Sequence, residues 1–249
     1  MKIISKLPIC GKLSGVSDLN PEAFSTIYTR FRAPIAELDC GRKCAPYNEF
    51  AIPFCCDTHH AVPTAYKSEW VYLQANTDLW HLWEGKNTED FADLREETPS
   101  GQVLIACLGY EHCQREFRSI TCRAFPFFPY FNSNKEFLGL AYYWEYEDRC
   151  WVISNLQVVS ASYLQSFIKT YEALFVVLPE EISNYSYLSA CMRRSFQGYK
   201  RSIPLLHRNG HAYKVSPNNE RMRRVKVESL PKFGSYKIAA SMPFPDEMG

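Results

Sequence analysis

Apolar positions recur at helical spacing in some stretches of this chain and alternate or cluster as strands do in others. Ser17 to Arg32 predicts a helix: Asp18 or Asn20 can cap it, Pro21 suits its first turn, and Phe24, Ile27, Tyr28 and Phe31 fall on one stripe. Thr64 and Ser68 offer capping oxygens for a second helix through about Trp83, lined by Trp70, Leu73, Trp80 and Trp83. Ser160 to Leu178 carries the clearest helical stripe, Tyr163, Phe167, Tyr171 and Leu174 or Phe175, and Pro179 closes it. A further helix is predicted over Ile182 to Tyr199. Strand patterns cover Gln102 to Leu108, Glu136 to Tyr146 and Trp151 to Asn155. Ile203 to His207 and His211 to Val215 flank Arg208-Asn209-Gly210, where Asn-Gly signals a tight hairpin. Leu38 to Pro63 has no period and is broken by Gly41, Pro46 and Pro53, as a ligand-bearing loop would be; Glu84 to Gly101 is polar and predicts a loop. Phe125 to Tyr130, with Pro126 and Pro129, predicts a rigid aromatic turn.

These elements predict an α+β fold, with an irregular, metal-stabilised cysteine core, a small sheet and flanking helices. Residues 1–160 form the expected cysteine-cluster unit with its N-terminal helix. Residues 161–249 form a helical segment with a basic, hairpin-containing tail packed on the same domain. Sixteen Phe and sixteen Tyr in 249 residues supply ample core material. No apolar run approaches the roughly 20 residues of a membrane helix. Met1 to Val16 lacks the pattern of a secretory signal, so the expected compartment is the cytoplasm and the expected relation to membranes is none.

A reducing compartment changes the meaning of ten cysteines, because it disfavours structural disulfides and favours metallic or catalytic thiols. Cys40, Cys44, Cys55 and Cys56 fall within seventeen residues; Cys113 and Cys122 follow, bracketed by Cys107 and Cys150. Thiolate donors suit zinc or an iron–sulfur cluster far better than magnesium or calcium. The spacing matches neither a zinc-ribbon knuckle nor the ferredoxin run. The candidate metal ligands are Cys40, Cys44, Cys55, Cys56, Cys113, Cys122 and Cys150, with both members of the adjacent pair expected to bind. Cys107, inside an apolar strand pattern, is expected in the core, and Cys10 and Cys191 as isolated structural residues. His59, His60 and His112 adjoin candidate ligands and suit a mixed sulfur–nitrogen site or outer-shell hydrogen bonds. Asp57 is expected to cap the turn after the pair or to orient a histidine.

Cys40-Gly41, Cys55-Cys56 and the run from Cys113 through Arg118, Cys122, Arg123, Phe125 and Pro126 resemble the YkgJ family of cysteine-cluster proteins, described as zinc- or iron-chelating. The resemblance implies an early cysteine cluster, a later cysteine and a Cys-Arg-x-aromatic-Pro segment, with Cys150 as the closing cysteine. This chain inserts ten residues between Cys44 and Cys55 and has Ser119 where the family pattern has proline. Arg118 and Arg123 flank Cys122, placed to offset the charge of a thiolate centre or to contact a cofactor. A nucleophile made from Cys113 and His112 is disfavoured, since neighbouring side chains point apart, and no glycine-rich phosphate loop is present.

A net charge of +1 conceals an asymmetry. Residues 193–237 carry twelve Lys and Arg against Glu220 and Glu228, including Arg193, Arg194, Lys200, Arg201, Arg208, Arg221, Arg223, Arg224 and Lys226. This segment suits nucleic-acid phosphates or an acidic protein partner, or neutralises the acidic front of the chain; the last is preferred. The leading functional expectation is a protein holding zinc or an iron–sulfur cluster, in support of redox or modification chemistry. The alternative is a structural-zinc adaptor binding nucleic acid or an acidic protein.

Overall fold

The computed structural model describes residues 20–85 and 88–239, an α+β arrangement of two antiparallel sheets and packed helices. Asp18 and Cys10 lie outside the described residues. Helix α1 (Ala23–Arg30) is entered through Asn20, whose Oδ1 accepts from the Glu22 N–H at 3.0 Å, and it buries Phe24, Ile27 and Tyr28 as its stripe predicts. Residues 32–63 are irregular, holding the four-residue α2 (Gly41–Cys44) and 3₁₀ turns at Ala45–Tyr47 and Phe54–Cys56.

The stretch expected as one helix from Thr64 to Trp83 divides into three elements. Strand β1 (Thr64–Tyr66) leads into α3 (Lys67–Asn76), and β2 (Trp80–Leu82) follows. Glu69 starts α3: its carboxylate returns to the Tyr66 N–H in a capping box. The segment from Glu84 to Gly101, expected as a loop, contains α4 (Thr88–Glu97). Strand β3 (Gln102–Cys107) is central in the first sheet; β1 pairs with its first half (Thr64↔Leu104) and β2 with its second (Trp80↔Cys107), on opposite edges.

After 3₁₀ turns at Tyr110–His112 and Arg115–Phe117 comes α5 (Ile120–Ala124), capped by Ser119, whose hydroxyl accepts from the Cys122 N–H at 3.2 Å. Residues Phe127–Phe131 form strand β4, correcting the expected aromatic turn. β4 is an edge strand, so Pro129 removes no ladder bond that the sheet needs. The N–H of Phe131 is instead satisfied by Ser189 Oγ at 2.9 Å. Strand β5 (Phe137–Tyr142) follows, then a 3₁₀ turn at Trp144–Tyr146. Trp151–Asn155, expected as a strand, is the short helix α6 (Trp151–Ser154). Helices α7 (Ala161–Val177) and α8 (Glu180–Gly198) agree with the sequence, as does the hairpin of β6 (Ile203–His207) and β7 (Ala212–Val215) with Gly210 at positive φ. Strand β8 (Met222–Val225) closes the second sheet in the order β4-β5-β6-β7-β8, and α9 (Tyr236–Ala239) ends the described chain.

Pairing of β5 with β6 (Gly139↔His207) draws the segments before and after residue 160 into one sheet. Helix α8 lies on β4, and α1 packs against α7, so Phe24, Phe31, Phe127, Phe167 and Tyr171 share one aromatic core. The β5–β6 join demands glycine at 139, where φ is 152° and a Cβ would stand 2.2 Å from the Leu206 carbonyl oxygen. That oxygen and the His207 Cα, 2.8 Å from the same point, are backbone and cannot yield without parting the strands. Gly139→Ala is therefore expected to lower stability by on the order of 3 kcal/mol in urea unfolding. A loss below about 1 kcal/mol would show that the strands part easily there.

Candidate functional site

Two limbs of irregular chain carry the thiols. In the first, Cys40 precedes and Cys44 ends α2, and Gly41 lets this turn approach Pro53, whose Cγ would lie 2.9 Å from an added Cβ. Cys55 and Cys56 share the following 3₁₀ turn, with their sulfurs 3.9 Å apart. In the second limb, Cys113 follows the Tyr110–His112 turn and Cys122 sits on α5. Cys107 ends β3, and Cys150 precedes α6.

The limbs face each other across Cys56. Its charge is felt at Cys40, Cys44, Cys55, Cys107 and Cys122, while Cys122 also feels Cys113, and Cys150 feels Cys40 and Cys44. All seven predicted cysteines thus share one electrostatic neighbourhood, and Cys107, expected in the core, joins them. Cys191 stands apart on α8, with the Arg194 guanidinium 3.1 Å from its sulfur. Among the described residues, no three His, Cys, Asp or Glu side chains converge closely enough to hold an ion as they stand.

Burial dominates the thiol chemistry. It pushes Cys44 up to about 11 and Cys122 up to about 12, and it raises Cys40, Cys107 and Cys150. Cys56 moves the opposite way, because the Cys55 thiol donates to it and Arg118 lies near. Cys55 is correspondingly raised, chiefly by that same hydrogen bond, although it remains accessible from a neighbouring cavity.

Arg118 and Arg123 take different roles. Arg118 Nε points at Cys113 Sγ, 3.1 Å away. Burial opposes its charge, but Cys122, Cys113 and Cys56 together outweigh that and raise it. Arg123 turns from the thiols and spends its guanidinium on backbone carbonyls: Arg118 O at 2.7 Å, Phe31 O at 2.7 Å and Glu116 O at 2.5 Å, with Tyr28 beneath it at 4.2 Å. A cofactor-binding role for Arg123 does not fit that geometry, because its hydrogen-bonding edge is already occupied by the main chain.

Asp57 performs both roles weighed for it. Only 3% exposed, it accepts from the His59 N–H at 2.9 Å and from Asn48 Nδ2 at 3.0 Å, and it meets His59 Nδ1 at 2.6 Å. His59 of that pair borders the cavity beside Cys55, with Asp57 behind it. His112 is exposed. Sequence reasoning missed Glu69, which is 0% exposed and accepts from the Tyr28 hydroxyl at 2.6 Å and the Ile120 N–H at 2.7 Å. A single Glu after Lys67 and Ser68 reads as an exposed first-turn residue and carries no periodic signal for such a role.

No family model, curated protein or solved structure matches this chain. The chemistry of the site is therefore argued from its own donors. The gathered groups are soft sulfur donors with one guanidinium among them, a set suited to zinc or iron–sulfur chemistry and unsuited to a hard cation.

The basic segment is committed within the molecule in part. Arg193 meets Glu220 at 3.1 Å, Arg201 grips Glu147 through two bonds of 2.9 and 2.6 Å, and Arg208 pairs with Glu172. Arg221, Arg223, Arg224 and Lys226 are exposed on and beside the edge strand β8. Among the described residues, no helix is long and apolar enough to cross a membrane.

Proposed function

We propose that this protein binds zinc or an iron–sulfur cluster through Cys40, Cys44, Cys55, Cys56, Cys113, Cys122 and Cys150, in the manner of the YkgJ type, in a reducing, cytoplasmic setting. The observation carrying this reading is the meeting of two sequence-distant cysteine limbs around Cys56, with Arg118 turned into them. A protein needing only small apolar filler has no use for a guanidinium there, whereas a multiply anionic thiolate centre does. Buried thiols resist ionisation, and a bound cation reverses that preference by deprotonating its ligands. When bound, the metal group supplies electron transfer or Lewis-acid chemistry. The chain's own part is to hold the thiols out of bulk water, with Arg118 offsetting their charge and the Asp57–His59 pair presenting an oriented imidazole nearby. Anaerobic purification with iron, sulfide and zinc analysis tests this: stoichiometric iron and sulfide in a brown protein support a cluster, and zinc in a colourless one supports a single-ion centre. Protein lacking all three would refute the reading.

The exposed cations along β8 favour a second reading, an adaptor whose zinc is structural. Charged edge strands also simply prevent edge-to-edge pairing. Replacing Arg221, Arg223 and Arg224 by Ala is expected to change stability by no more than about 0.5 kcal/mol. If the adaptor reading holds, the same change abolishes a salt-sensitive mobility shift of nucleic acid; absence of any shift in the wild type removes that reading.

A further inference from the structure

Beside the thiols lies a cavity of about 490 Å³, bounded by the loop from Cys55 to Thr64, Trp83, the end of α4 and the turn after it, the first half of β3, α5, the turn after β5 and one face of α8. Its volume suits a small organic molecule. Aromatic rings make up much of the wall: Phe125 and Tyr143 stack at 6.2 Å, Tyr146 meets Phe125 edge-on at 4.9 Å, and Trp83, Tyr185 and Tyr187 add further surface. Cys55 and Cys122 border the same space.

The charge on this wall is one-sided. Three carboxylates, Glu97, Glu145 and Glu181, face a single guanidinium, Arg149, which leans on Tyr146 and approaches Asp148 at 3.8 Å. Glu181 is 4% exposed and accepts from the Tyr66 hydroxyl at 2.9 Å and from Asn184 Nδ2 at 2.8 Å. Glu145 differs from it: half-buried, its carboxylate is met by its own backbone N–H rather than by a hydroxyl or amide side chain. From these features we infer that the cavity binds a small organic cation, an amine-bearing molecule whose ammonium group meets Glu145 between aromatic faces and whose body reaches the thiols at Cys55 and Cys122.

Burial, with the nearby Glu147 charge adding to it and a hydrogen bond from its own backbone N–H opposing it, pushes Glu145 up to about 7, a preference that a bound cation would reverse. Aromatic faces favour the same sign of ligand, since their quadrupoles attract cations. An anionic ligand would meet three carboxylates and gain one already engaged guanidinium. The inference does not rest on the thiols holding a metal.

The test uses the protein as isolated, at about pH 8, where phenethylamine is protonated and Glu145 ionised. Calorimetric titration with phenethylamine is set against 2-phenylethanol and 3-phenylpropionate, which carry the same ring with no charge or the opposite one. The amine is expected to bind roughly tenfold or more tightly than either, and Glu145→Gln to weaken it by roughly tenfold or more. Leu188→Trp, which fills the cavity without changing a charge, is expected to abolish binding, so a Glu145→Gln protein that fails to fold leaves the question decidable. Equal or tighter binding of the alcohol or the acid, undiminished binding in either cavity variant, or no saturable binding up to about 10 mM amine overturns the proposal.

Discussion

Cys56→Ser is expected to strip the protein of most of its metal, Cys122→Ser to do the same, and Cys191→Ser to leave the metal content unchanged. Cys56 is the thiol whose charge reaches five others on both limbs, so its loss uncouples Cys40 and Cys44 from Cys107 and Cys122. Cys122 is the second limb's contribution from a capped helix, and a hydroxyl there is a poor ligand for a thiophilic centre. Cys191 borders the same cavity as Cys55 and Cys122 but stands on α8, outside both limbs, which makes it the control for nonspecific loss. Structural thiolate sites contribute on the order of 10 kcal/mol to the regions they organise. Residues 38–63 and 107–122 have little regular structure to replace that contribution, so chelator treatment is expected to open them first, as hydrogen exchange can record. Metal content unchanged in both the Cys56 and Cys122 variants would defeat the metal reading.

Cysteine density in the sequence pointed to both limbs; charge coupling links their thiols, but among the described residues no three of them converge closely enough to hold an ion. Cys107 was hidden because it ends a genuine strand, where its apolar setting looks the same whether the sulfur faces a core or a site. Spacing alone made Trp80 and Trp83 look like the end of a helix. A three-residue strand has no period of its own, and pairing with β3 decides it. Helix α4 escaped notice because its polar sequence lacks a continuous apolar stripe. Short α6 was misread from the β-branched Val152 and Ile153, whose burial against neighbours overrides strand preference. Long helices and the Asn-Gly hairpin were legible because their signals are local. The cavity was not, since segments far apart in sequence build its wall.

Removing the Glu69 carboxylate is expected to be the most destabilising single change outside the thiols: Glu69→Leu should cost about 3–5 kcal/mol. The carboxylate is fully enclosed and takes the Tyr28 hydroxyl, the Ile120 N–H and, at 3.2 Å, the Tyr66 N–H, so an isosteric apolar residue orphans three buried donors. Through Ile120 it fixes the start of α5 and hence Cys122; through Tyr28 it reaches Arg123, whose guanidinium joins the end of α1 to the turn carrying Arg118. The brace thus sets one thiol limb against the aromatic core. Glu69→Gln should cost less, because it can still accept from Tyr28 and Ile120. It should also alter the pH response. Burial raises Glu69 to about 7 from its ordinary 4.5, so the folded protein binds the proton more tightly than the unfolded chain. That contribution is fully present below pH 4.5 and is lost as pH rises through about 7. Stability of the wild type relative to Glu69→Gln is therefore expected to fall across that interval, measured as the difference between their urea midpoints. A difference that stays flat, or a Glu69→Leu protein within about 1 kcal/mol of the wild type, would mean that water rather than this carboxylate satisfies the three donors.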